Sequence, residues 1–225
     1  MLNILESILF PIILPMEALL KLYVAALSSL GVSILLLSAT FSFALIPAVR
    51  WGRSVENRLS QKIQKVNAEV AKLKAEYKGE KLFLATEEVY GRYSYHPIQS
   101  IGMSASFLVS LPVLISAVCL FTADGVLDGQ SFLFIRDLSE PDRLLVSINA
   151  LPLLMFVITL ADASIRFRDD QQSRNRFLII SVVLLLLVYN LPSGLILYWI
   201  GNNLIALLLV LVQRGVGRED SHKAA

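Results

Sequence analysis

From Phe177 to Gln213 the chain carries no Asp, Glu, Lys or Arg, and in the middle of that stretch stands Asn190-Leu-Pro-Ser-Gly194. An uncharged apolar run of this length belongs in a bilayer, where about 20 residues make one helical crossing. Helix is the form demanded there, because backbone N–H and C=O groups must find partners within the segment. Pro192 cannot donate a backbone hydrogen bond, and Ser193 and Gly194 suit a tight reversal. The stretch therefore predicts two spans, 176–191 and 195–213, joined by a hinge at a membrane surface. The first is short for a crossing, and Gln171 to Arg176 can extend it into the headgroups with arginines snorkelling.

Three more long uncharged stretches, Leu22–Val49, Tyr93–Ala123 and Leu144–Ala161, bring the expected total to five. With 56% hydrophobic residues, the chain reads as an all-α integral membrane protein forming a single membrane domain. The expected order is an interfacial helix and lead-in (4–30), span 1 (31–49), a cytoplasmic helical hairpin (50–95) and span 2 (97–121). An outer loop (124–143), span 3 (144–162), a cytoplasmic loop (163–175), spans 4 and 5 and a cytoplasmic tail (214–225) follow. The interfacial reading of 4–30 rests on Pro11, Pro15, Glu17 and Lys21; the alternative is that part of it adds to the spans. Met1–Glu6 lacks the basic region that opens a signal peptide.

Charge sets the expected orientation. Arg50–Arg92 holds ten Lys/Arg, Arg166–Arg176 four, and the tail from Arg214 three, leaving Lys21, Arg136 and Arg143 for the other side. By the positive-inside rule the N-terminus lies outside and the C-terminus in the cytoplasm. The compact five-span form favours a bacterial inner membrane.

The segment after span 1 is the one long polar stretch. Val55, Leu59, Ile63, Val66, Val70, Leu73 and Tyr77 recur at spacings of three and four, a heptad-type seam. Lys78-Gly79-Glu80-Lys81 reads as a turn, and Leu82, Leu84, Val89, Tyr90 and Tyr93 as the returning arm. The basic outer face of this hairpin can dock on anionic lipid or ribosomal RNA, or simply be solvated.

Ser33, Ser38, Thr40, Ser42, Ser104, Ser106, Ser110 and Ser116 put many hydroxyls into the first two spans. Helix packing and a wet groove open to the cytoplasm both account for them. Asn202 and Asn203 are costlier in hydrocarbon and need partners. No constellation looks catalytic: His96 and His222 lack Cys, Asp or Glu at metal-ligand spacing, and no nucleotide-binding glycine loop occurs. No cofactor or metal is expected. Cys119 reads as a small packing residue and Asp162 as a helix-boundary residue.

Asn190-Leu-Pro-Ser-Gly-Leu-Ile-Leu-Tyr-Trp-Ile-Gly-Asn-Asn-Leu204 resembles the C-terminal signature of the YidC/Oxa/Alb membrane insertases. Gly31 through Pro47 looks like that family's first core span, and the hairpin tipped by Tyr77–Lys81 like its cytoplasmic coiled-coil hairpin. Phe132-Leu-Phe-Ile-Arg-Asp-Leu-Ser-Glu-Pro-Asp142 is similar to its outer loop. The resemblance implies an insertase or membrane-protein chaperone, not an enzyme. It would have an amphiphilic groove that eases short polar segments of clients across the bilayer. Ser38, Ser42, Tyr198 and Trp199 would line the client path. Implied partners are newly made membrane proteins and the lipid bilayer, with the ribosome and the Sec translocon as candidates and no specific nucleic acid. The chain departs from the pattern at Ser42, where the family usually carries a groove arginine. That departure supports the alternative of a non-catalytic scaffold or assembly subunit of a membrane complex. A small solute transporter fits less well, because the spans carry almost no ionisable residue to bind a coupling ion.

Overall fold

The computed structural model describes residues 2–96, 105–123, 125–144, 148–168 and 171–223. Within them the chain forms seven helices: α1 (Leu2–Leu27), α2 (Leu30–Glu76), α3 (Glu80–Arg92), α4 (Ala105–Thr122), α5 (Ala150–Arg166), α6 (Gln171–Val188) and α7 (Ser193–Lys223). Phe132 and Ile135 form an isolated antiparallel bridge. The opening of the expected second span, 97–104, and the side chain of Ser106 lie outside the described residues.

Ser7–Leu27, the apolar part of α2, and Ser193–Val212 are each long and apolar enough to cross a membrane; Leu108–Thr122 and Phe177–Val188 are shorter apolar helices. The chain is an all-helical, multi-pass membrane protein. Two boundaries differ from the charge pattern. α2 passes from apolar to charged sequence without a break, through Pro47, because a charge boundary marks where water begins and not where a helix ends. α5 starts at Ala150, six residues into the uncharged stretch. Asp142 accepts hydrogen bonds from the N–H groups of Ala150 (2.6 Å) and Leu151 (3.3 Å), two of the donors that a helix start leaves open.

The chain divides into two compact units, residues 1–44 with 113–225, and residues 45–112. In the first, α5 packs on α6 and α7. Ser28, at φ +51°, ends α1, its N–H bonded to the Val24 carbonyl. The hinge is a helix start held by the loop before α5. Ser193 N–H and Gly194 N–H donate to the carbonyls of Glu140 and Leu138, both at 2.9 Å, and Ser193 Oγ also donates to Glu140. Leu127 and Leu138 are buried beside it. Phe132 from the same loop lies against Gly31, where an added Cβ would meet its ring at 2.1 Å, so only glycine fits.

In the second unit the chain turns at Tyr77–Gly79, with Gly79 at φ +61°, and α3 packs back on the polar half of α2. Val66, Val70, Val89 and Tyr95 form its core, with Ile63, Leu73, Tyr90 and Tyr93 packed around them. Tyr93 donates to Glu69 at 2.6 Å, and Lys62 to the Ser94 carbonyl at 2.9 Å.

Candidate functional site

The apolar seam between α2 and α7 carries a line of polar groups. Ser38 and Ser42 lie one helical turn apart on α2; Tyr198, Gly201 and Asn202 occupy one face of α7. Ser42 Oγ donates to Asn202 Oδ1 at 2.7 Å. Ser38 is fully buried and donates back to the Leu35 carbonyl at 2.7 Å, a bond that keeps a hydroxyl satisfied without a neighbour. Its Oγ would lie 1.9 Å from a Cβ placed on Gly201, so α2 leaves no room for a side chain at this point of α7. Tyr198 is also fully buried, tilted against Phe121 with ring centroids 5.7 Å apart. Its hydroxyl lies beside Asn202 without a hydrogen bond of good geometry. Trp199 is half-buried.

Two further polar contacts flank this line. Asn203 Nδ2 donates to Thr159 Oγ1 of α5 at 3.1 Å, and the hydroxyls of Tyr23 and Thr40 pair at 2.9 Å between α1 and α2. Both asparagines thus find the partners that their place in an apolar helix demands. At the end of α5, Asp162 is buried and paired with Arg166 through two hydrogen bonds, at 3.0 and 2.8 Å. That pairing fits a helix-boundary residue: the carboxylate is already neutralised on its own helix. Among the described residues no cluster of His, Cys, Asp and Glu could hold a metal.

A family model described as "60Kd inner membrane protein" matches residues 21–217. The chain belongs to this family, that of the YidC/Oxa/Alb proteins. It is 26% identical over 181 residues to a protein of Fusobacterium nucleatum named "Membrane protein insertase YidC", the match covering 79% of this chain and 82% of the relative. A Clostridium perfringens protein of the same name is 28% identical over 204 residues, covering 83% and 81%. Against the YidC of Syntrophobacter fumaroxidans, 25% identical over 187 residues, 79% of this chain spans about a third (33%) of the relative's length.

For this YidC-family chain the structure brings Ser38, Ser42 and the Tyr198 face of α7 to one seam and leaves Trp199 at its side. Sequence reasoning named both asparagines but not Thr159, Tyr23 or Gly201. Thr159 and Tyr23 stand out in the sequence only as hydroxyls within the apolar stretches of α5 and α1, one signal among several polar residues there. Gly201 carried the signal of a small residue one turn after Tyr198.

Outside the spans, two groups among the described residues have shifted acidity. The Asp137 carboxylate sits below its usual range, chiefly because it accepts the backbone N–H of Ser139, at 2.9 Å, and that residue's hydroxyl. The Tyr93 phenol is raised, first through its hydrogen bond to Glu69, which requires the proton to stay on the phenol.

Proposed function

We propose that this chain is a membrane protein insertase of the YidC type, easing short polar segments of client proteins across a bacterial inner membrane. It would do so as five spans, with the N-terminus outside and the C-terminus in the cytoplasm. The family match through residues 21–217 supports the activity. The observation that carries the local mechanism is the Ser42–Asn202 bond, a polar contact at the position where the resemblance expects an arginine. A backbone group without a partner in hydrocarbon costs several kcal/mol. Hydroxyls and amides along one seam lower that cost by offering exchangeable hydrogen bonds, with no nucleotide or metal. Burial of the client's apolar helix in lipid supplies the drive. In this reading Ser42 and Asn202 part to admit a client's backbone, while Ser38, Tyr198 and Trp199 define the wall of the path. A serine in place of arginine supplies hydration without attracting acidic residues, so the clients are those with neutral or weakly charged tails. The helical pair built on Val66 and Val89 is the cytoplasmic hairpin that meets the client, with the ribosome and Sec translocon as candidate partners.

The test is insertion of a short-tailed model membrane protein into liposomes holding this chain, run beside Ser42→Arg. Protection of the client's translocated tail by the unmodified chain is expected. Protection with Ser42→Arg alone would show that the architecture inserts but this sequence does not. Failure of both would overturn the insertase reading. It would favour the scaffold, for which the burial of Ser38 and Tyr198 and the engagement of Ser42 speak. A scaffold co-purifies with one fixed partner, an insertase with nascent chains.

A further inference from the structure

The loop before α5 carries a feature that client passage does not use. Phe132 and Ile135 pair through two backbone hydrogen bonds, 3.0 and 2.9 Å, leaving Leu133 and Phe134 at the corners of a two-residue turn. The flanking residues point inwards: Phe132 lies against Gly31, and Ile135 is buried. The corner residues point out. Leu133 is 80% exposed and Phe134 85%, more than Leu186 (73%) in the uncharged stretch of α6. Leu133 also has φ +51°, a left-handed conformation that glycine adopts with less strain and that turns of this length favour glycine to fill. A bulky apolar side chain is therefore held in a costly backbone state where nothing among the described residues covers it.

We infer that this turn is a membrane anchor: Leu133 and Phe134 insert into the bilayer leaflet on the loop's own side, and Arg136 binds phospholipid headgroup phosphate above them. Three observations commit the turn to lipid. The loop is tied to the starts of α2, α5 and α7 through Gly31, through Asp142 and through the hinge carbonyls, so it sits at the level where these helices leave hydrocarbon. The charge nearest the tip along the chain is the exposed Arg136, whose sign suits phosphate. The acidic residues that would oppose it are partly spent inside the loop: Asp137 on Ser139 and Gly129, Asp142 on the N-terminus of α5. Asp128 and Glu140 remain exposed, farther along the chain from the tip than Arg136. An aromatic and an aliphatic side chain beside a cation is the composition that binds the headgroup–acyl boundary. A clamp of this kind would hold the hinge end of the bundle at fixed depth while other parts of it move.

The test places a nitroxide at Phe134→Cys, and separately at Leu133→Cys, in a Cys119→Ala chain reconstituted into liposomes of phosphatidylethanolamine and phosphatidylglycerol. Gln130→Cys, exposed in the same loop, is the reference. Collisions with oxygen, which partitions into lipid, are compared with those of a water-soluble nickel chelate. The inference expects the oxygen-to-nickel ratio at 133 and 134 to reverse that at 130. A tip as open to nickel as Gln130→Cys would overturn it, leaving the turn in water. A tip shielded from both reagents would overturn it too, in favour of a second copy or another protein seated there.

Discussion

At Gly201 the approach of α7 to α2 decides what either helix can tolerate. An added Cβ would lie 1.9 Å from Ser38 Oγ and 2.9 Å from Ser38 Cβ, and the second distance survives any rotation of the hydroxyl. Alanine normally favours a helix over glycine by about 1 kcal/mol. Here the steric term wins, and Gly201→Ala is expected to destabilise by about 1–3 kcal/mol, the usual cost of overpacking. Thermal unfolding in detergent measures it, and adding Ser38→Gly, which removes both clashing atoms, should recover most of the loss. An unchanged Gly201→Ala would mean that α2 and α7 part enough to admit a methyl group. The Ser42–Asn202 bond is a smaller quantity. Hydrogen bonds between membrane helices are worth on the order of 0.6 kcal/mol, so Ser42→Ala should leave stability nearly intact and act on client handling instead. These residues were only half legible in the sequence. The hydroxyls and amides announced themselves against an apolar background. Which of them met which did not, because a helix that is apolar all round carries no periodic signal of its inner face.

Elements were legible where polar and apolar residues alternate, and illegible where the decisive contact is remote. The heptad seam predicted Val66 and Val70 correctly, since apolar residues among Lys, Glu and Gln can only mean a packed stripe. The ends of that seam are not packed: Val55 and Tyr77 are exposed. The seam from Val55 to Tyr77 runs about 33 Å, whereas the 13 residues of α3 span roughly 20 Å and cannot cover it. The start of α5 was hidden because its cap, Asp142, stands eight residues before Ala150. Removing it in Asp142→Ala should cost about 1 kcal/mol, as for other helix caps. Hydrogen exchange should show faster exchange confined to Ala150 and Leu151; uniform loss of protection would mean the aspartate holds the whole loop.

The helical pair adds a pH dependence at the same scale. Tyr93 keeps its proton more tightly when folded, because the phenol donates to Glu69. A group whose folded pKa is raised contributes stability that is complete below its unfolded value, 10.0, and lost as pH climbs through the higher folded value. The wild-type pair should therefore weaken in that alkaline window, and Tyr93→Phe should remove that part of the slope. Equal slopes in both would show that the Glu69 contact contributes nothing.

For the whole molecule, the distribution of charge makes a claim that one labelling series can decide. Of the 20 Lys/Arg, 17 fall in 50–92, 166–176 and 214–225, segments that five spans would place on one side. Cysteine at the turn of the helical pair, Glu80→Cys, should react with an impermeant maleimide only after the membrane is opened; Gln130→Cys should react in intact cells. The position of α1 depends on the same parity. Ser7–Leu27 is long enough to cross, yet it holds Pro11, Pro15 and the Glu17–Lys21 pair, whose carboxylate and ammonium are 2.5 Å apart, the lysine exposed and the glutamate half-buried. Pairing reduces the cost of placing two charges in hydrocarbon without abolishing it. Two prolines each leave a carbonyl without its helical donor, which water at an interface can satisfy and lipid cannot. Both terms favour α1 lying along the surface, and that leaves an odd number of crossings with the termini on opposite sides. Asn3→Cys in a Cys119→Ala chain should then react from outside, together with Gln130→Cys. Reaction only after permeabilisation, together with Glu80→Cys, would mean that α1 crosses. The chain would then have six spans and the ion pair a place inside the bilayer.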